Sequence, residues 1–125
     1  MPTVLFSAVS FVLLALSVGQ PADKFATGRF VAKHSNLGGW GPDGGQESLI
    51  IANFASTSNG KSVTLKITAS EGYVGMGRRN RVKSGAFGVI NSQGSVHTDF
   101  KFTLLDEETG ELADVKRFYI TFYDL

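Results

Sequence analysis

No cysteine occurs in the 125 residues, which excludes a disulfide framework, a cysteine-based zinc site and a cysteine nucleophile. Charge of one sign is missing too: 12 basic residues stand against 11 acidic ones, and a net charge of +1 gives no general attraction to nucleic acid. The chain also lacks any Asn-x-Ser/Thr acceptor for N-glycosylation. No apolar run reaches the ~20 residues that a membrane-spanning helix needs.

What is present is 15 glycines, 10 phenylalanines and one weighty uncharged stretch near the start. Residues 4–16 contain Phe11-Val12-Leu13-Leu14-Ala15-Leu16, no charged side chain precedes Asp23, and small residues follow at Ser17 and Gly19. That pattern reads as a secretory signal peptide, expected as a helix and cut after Gly19, with a cut after Ser17 as the alternative and a retained membrane anchor as the weaker reading. Residues 20–125 then form a single domain of a size that folds on packing alone.

Along that domain the dominant period is two. Val63, Leu65, Ile67 and Ala69 alternate with Thr64, Lys66 and Thr68; Val96, Thr98, Phe100, Phe102 and Leu104 alternate with His97, Asp99, Lys101 and Thr103. A further strand runs through Phe118, Ile120 and Phe122 opposite Tyr119, Thr121 and Tyr123, with both faces large and therefore both expected to be covered. Less regular strands are expected at 28–33, 48–54 and 86–91, with a hairpin at Asn59-Gly60 and a solvated acidic turn at 106–110. The fold class is all-β, an antiparallel β-sandwich of jelly-roll-like kind, preceded by the signal-peptide helix. The last strand stops at the chain end, Tyr123-Asp124-Leu125, so the domain reads either as truncated there or as closing on a short final strand.

Four segments carry a family resemblance. They are 35–43 (Ser-Asn-Leu-Gly-Gly-Trp-Gly-Pro-Asp) with Glu47 after it, 85–91 (Gly-Ala-Phe-Gly-Val-Ile-Asn), 96–106 with Thr109-Gly110, and 118–125 (Phe-Tyr-Ile-Thr-Phe-Tyr-Asp-Leu). Together they resemble a set of uncharacterised secreted β-sandwich domains of algae and other protists. The resemblance covers residues 35–125 and implies a fold and an extracellular location, without an activity. In that set the pattern runs on past Asp-Leu, which favours truncation.

The loop 38–45 spells Gly-x-Gly-x-x-Gly at Gly39, Gly41 and Gly44, yet it is no dinucleotide fingerprint, because Pro42 removes an amide, Asp43 repels phosphate, and a strand follows where a helix is required. Its five glycines instead permit a tight loop around Trp40. If exposed, Trp40 offers an apolar face for a sugar ring; if packed beneath the loop, it is structural. Tyr73, in its own glycine-rich segment, is a second candidate platform with the same alternative.

Arg78, Arg79 and Arg81, with Lys83, make the one dense basic cluster, expected as a long loop that either contacts sulfated or acidic polysaccharide or merely keeps the chain soluble. It also spells the minimal Arg-x-x-Arg processing pattern. Asp43, Glu47 and Asp124, with Asp106, are carboxylates that could ligate a structural calcium, although they follow no EF-hand spacing and solvated turn acids are the commoner case. No other cofactor is implied.

For catalysis the chain offers two histidines, His34 and His97, and no Gly-x-Ser-x-Gly elbow, His-Glu-x-x-His or phosphate loop. The sequence thus reads as a secreted, non-enzymatic binding or structural module whose partner is glycan or extracellular matrix, with no nucleic acid and no membrane after leader removal. The alternative is the N-terminal part of a larger secreted protein, an enzyme for instance, in which this sandwich is ancillary.

Overall fold

The computed structural model describes residues 3–6, 10–18, 29–57, 59–75, 80–83, 87–92, 97–115 and 118–124, with 3–6, 10–18, 87 and 118–124 described by backbone alone. Among the described residues nine strands form: β1 (Thr3–Phe6), β2 (Ser10–Val18), β3 (Val31–Ser35), β4 (Leu49–Ser56), β5 (Ser62–Ala69), β6 (Arg81–Lys83), β7 (Phe87–Asn91), β8 (Thr98–Asp106) and β9 (Phe118–Asp124). They make a five-stranded sheet in the order β1-β8-β5-β4-β3 and a four-stranded sheet in the order β6-β7-β2-β9, and every pairing is antiparallel.

The all-β, sandwich-like class expected from the alternation is therefore what the chain adopts. β5 and β8 are its centre: Leu65 lies opposite Leu104 and Ile67 opposite Phe102, and all four are buried. Leu49, Ile51, Phe54 and Leu37 join them, and Ile90 from β7 enters the same core from the other sheet. At roughly 25 cal/mol per Å² of apolar area removed from water, this cluster is the main stabilising term.

Two irregularities shape the five-stranded sheet. Between Ile51 and Ala55, β4 places three residues where β5 places one, and Asn53 takes φ +55. Asparagine tolerates that left-handed conformation, and the bulge turns both Phe54 and Ala55 inward while Asn53 stays exposed. Phe54 then meets Phe30, with ring centroids 5.3 Å apart. The second irregularity lies in β3 between Ala32 and His34, on the outer strand of the sheet, where a bulge discourages further pairing.

The Asn59-Gly60 hairpin forms as expected: Gly60 has φ +79, its amide donates to the Thr57 carbonyl at 2.9 Å, and Thr57 N donates to Lys61 O at 2.8 Å. In the acidic turn, Asp106 Oδ1 accepts the amides of Glu108 at 2.9 Å and Thr109 at 3.1 Å.

The N-terminal stretch differs from expectation in conformation. Ser10–Val18, expected as a leader helix, is strand β2, seated between β7 and β9, and Thr3–Phe6 pairs with β8. A short apolar run fits a leader and a doubly covered strand equally well, so its composition alone does not choose between them. Residues 81–83, expected within a long basic loop, form strand β6 against β7, with Val82 packed on the core.

Candidate functional site

Residues 36–48 leave β3, make one 3-10 turn at Leu37–Gly39 and return into β4, so the glycine-rich segment opens a strand and not a helix. Leu37 is fully buried and anchors the turn. Asn36 organises the rest of the loop: its Nδ2 donates to Gly45 O at 3.1 Å, its Oδ1 accepts from Gly41 N at 3.3 Å, and its backbone amide donates to Ser48 O at 2.9 Å. Asp43 closes the loop on Ser35. Its Oδ2 accepts the Ser35 amide at 2.7 Å, while its own amide donates to Ser35 O at 3.1 Å. His34 completes the edge, with Nε2 2.7 Å from Gln46 O and Nδ1 3.9 Å from Asp43 Oδ2.

This brings Trp40 to the surface and holds it there. The residue is 42% exposed, yet its Nε1 donates to Tyr73 O at 3.1 Å. Gly75 lies against the base of the ring: a Cβ at that position would come within 2.7 Å of Trp40 Cβ. The indole is thus fixed in orientation and partly open to solvent, the arrangement required of a stacking platform.

Tyr73 is brought beside Trp40 in a different role from the one expected. It is buried, its ring edge-on to Phe100 at 5.6 Å, and its hydroxyl donates to Asn91 O while accepting from Asn80 Nδ2 at 2.8 Å. Tyr73 is therefore no second platform; the aromatic contact with β8 and the hydroxyl's partners keep it inside. Asn80 extends the network, with Oδ1 accepting Asn91 N at 2.7 Å and its backbone carbonyl accepting Ser35 Oγ at 2.9 Å. A buried polar set this fully joined ties the loop, the 70–75 turn and β7 into one unit.

Burial pushes the Tyr73 phenol above its ordinary pKa of 10.0, and the Asn80 donor draws it partly back. The unfolded phenol then ionises first as pH rises, so the contribution to stability is complete below about pH 10 and is lost above it. Urea midpoints measured at pH 9 and pH 11 are expected to fall further for the wild type than for Tyr73→Phe; equal falls would remove Tyr73 as the cause.

The remaining candidates are dispersed. Arg81 is exposed at the start of β6, directly after Asn80, whereas Arg78 and Arg79 lie outside the described residues. Asp43 is engaged by Ser35, and Glu47 is exposed on the same loop. Asp106 sits four residues along β8 from Phe102, about 13 Å away towards the opposite end of the sheet. There the Thr109 and Glu108 amides, and more weakly Lys61, hold its carboxyl below the usual range. Asp124 pairs by its backbone with Phe11 in the other sheet, and its side chain is outside the described residues. Among the described residues, no three or more of His, Cys, Asp and Glu are grouped so as to hold a metal ion. His97 is exposed and faces Asp99 at 3.6 Å.

Sequence reasoning missed Asn36 and Asn80 as organisers. Asn36 was visible only as one letter of a motif, and Asn80 sat inside a run conspicuous for its arginines. In comparisons with known proteins, no family model, no curated protein and no solved structure matches this chain.

Proposed function

We propose that the chain is a secreted, non-catalytic β-sandwich module that binds extracellular carbohydrate through the 36–48 loop. The observation that carries this reading is Trp40: a large aromatic residue left 42% exposed although its ring is fixed by a hydrogen bond and its loop by at least five more. Rigid exposed aromatics favour association because little side-chain entropy is lost on binding. The resemblance of residues 35–125 to secreted sandwich domains supports an extracellular location.

Sedimentation with a panel of insoluble polysaccharides tests the reading. The wild type is expected to partition with at least one of them, and Trp40→Ala to lose at least tenfold in affinity while Trp40→Phe retains most of it. Equal partition of wild type and Trp40→Ala, or no partition of the wild type with any member, would overturn it.

A further inference from the structure

We propose that the sugar taken by Trp40 is uncharged and that the Glu47 carboxylate receives its hydroxyl groups, so that the loop selects neutral polysaccharide over sulfated or uronic chains. The proposal rests on the carbohydrate reading above and names the ligand class for the same site.

Glu47 reaches back to Gly39, the residue immediately before the tryptophan. A Cβ built on Gly39 would lie 3.3 Å from Glu47 Oε1 and 3.7 Å from its Cδ, so the carboxylate lies close to the backbone that leads into Trp40. Among the described residues that carboxylate makes no hydrogen bond or ion pair. Asp43, the loop's other acid, is different: its Oδ2 is engaged by the Ser35 amide. The loop thus carries one acid used internally and one left unspent beside Gly39, the residue before the exposed tryptophan.

The chemistry of a stacked sugar matches this pair. A pyranose lays its C–H face on an aromatic ring and directs its equatorial hydroxyls outward around the rim. An ionised carboxylate only accepts hydrogen bonds, through two oxygens, and O–H to carboxylate bonds are about twice as strong as neutral ones. Neighbouring hydroxyls can therefore share Glu47. A sulfate or uronate in the same place would set like charge against like charge with nothing gained from the donors it has lost.

Trp40 is the single tryptophan of the chain, so its emission reports occupancy of this site and no other. The probes are hexamers of β-1,4-glucan, β-1,3-glucan and mannan, set against a sulfated galactan and a polygalacturonate of similar length. The expected result is a change in emission with at least one neutral hexamer and none with the two anionic ones. Glu47→Ala should weaken the neutral hexamer at least tenfold with an unchanged melting temperature, and Glu47→Gln, which keeps one accepting oxygen, should fall between the two. Tighter binding of the anionic chains, or undiminished neutral binding in Glu47→Ala, would overturn the role of Glu47 and leave the Trp40 reading intact. No response to any probe would overturn both.

Discussion

Gly41→Ala should be among the most destabilising single substitutions in the chain. A Cβ at that position would sit 1.8 Å from Ser35 O, 2.3 Å from Ser35 C and 2.4 Å from Asn36 Cα. All three are backbone atoms of the residues where β3 ends, so no rotamer change relieves the contact. The loop would have to lift away, breaking the Asp43 bonds to Ser35 and the Asn36 bond to Gly41. Overpacking of this kind costs about 3 kcal/mol, or roughly 10 °C in melting temperature for a domain of this size. Gly44→Ala is the matched control: no atom lies within 4 Å of its Cβ position, and a shift of no more than about 0.5 kcal/mol is expected. Thermal melts of the two variants side by side check the prediction, and comparable losses in both would show that clash with Ser35 is not the cause.

Asn80→Ala should produce a loss of similar size by the opposite route, through bonds removed and not atoms added. The residue is 2% exposed, and its side chain is both the donor to the Tyr73 hydroxyl and the acceptor of the Asn91 amide. Truncation leaves a buried backbone N–H without its partner and a hydroxyl without its donor, and each such orphan costs about 1–3 kcal/mol. A combined loss of roughly 3 kcal/mol in urea unfolding is expected. Because Tyr73 and Asn80 share one bond, the double variant Asn80→Ala, Tyr73→Phe should lose less than the sum of its parts, by roughly 1 kcal/mol. Strict additivity would mean that the two side chains act separately.

How far the fold was legible depended on what each strand faces. β5 and β8 were plain in the sequence because one side of each is buried, and Leu65, Ile67, Phe100 and Phe102 record that side at every second residue. β6 was not, since it has three residues, two of them exposed cations, and only Val82 turns towards the core. The bulge at Asn53 left no periodic trace for a related reason: a left-handed residue breaks the alternation that would announce the strand. At the site, the sequence pointed to Trp40 and to a tight glycine loop around it. It could not decide between the two fates of Tyr73, because that choice is made by Phe100 and Asn91, which arrive from β8 and β7 well along the chain. Glu47 stood out only as a candidate calcium ligand; its place beside Gly39 arises from the way the loop doubles back.

The placing of β2 has a consequence in time. Its neighbours are β7 and β9, and its register sets Phe11 against Asp124, far along the chain. During synthesis from the N-terminus, the 10–18 segment therefore emerges long before either flanking strand exists. Contacts of such long sequence separation close late and slowly. The four-stranded sheet is accordingly the later of the two to consolidate, and until then its apolar β2 remains available to whatever cellular machinery meets a nascent chain.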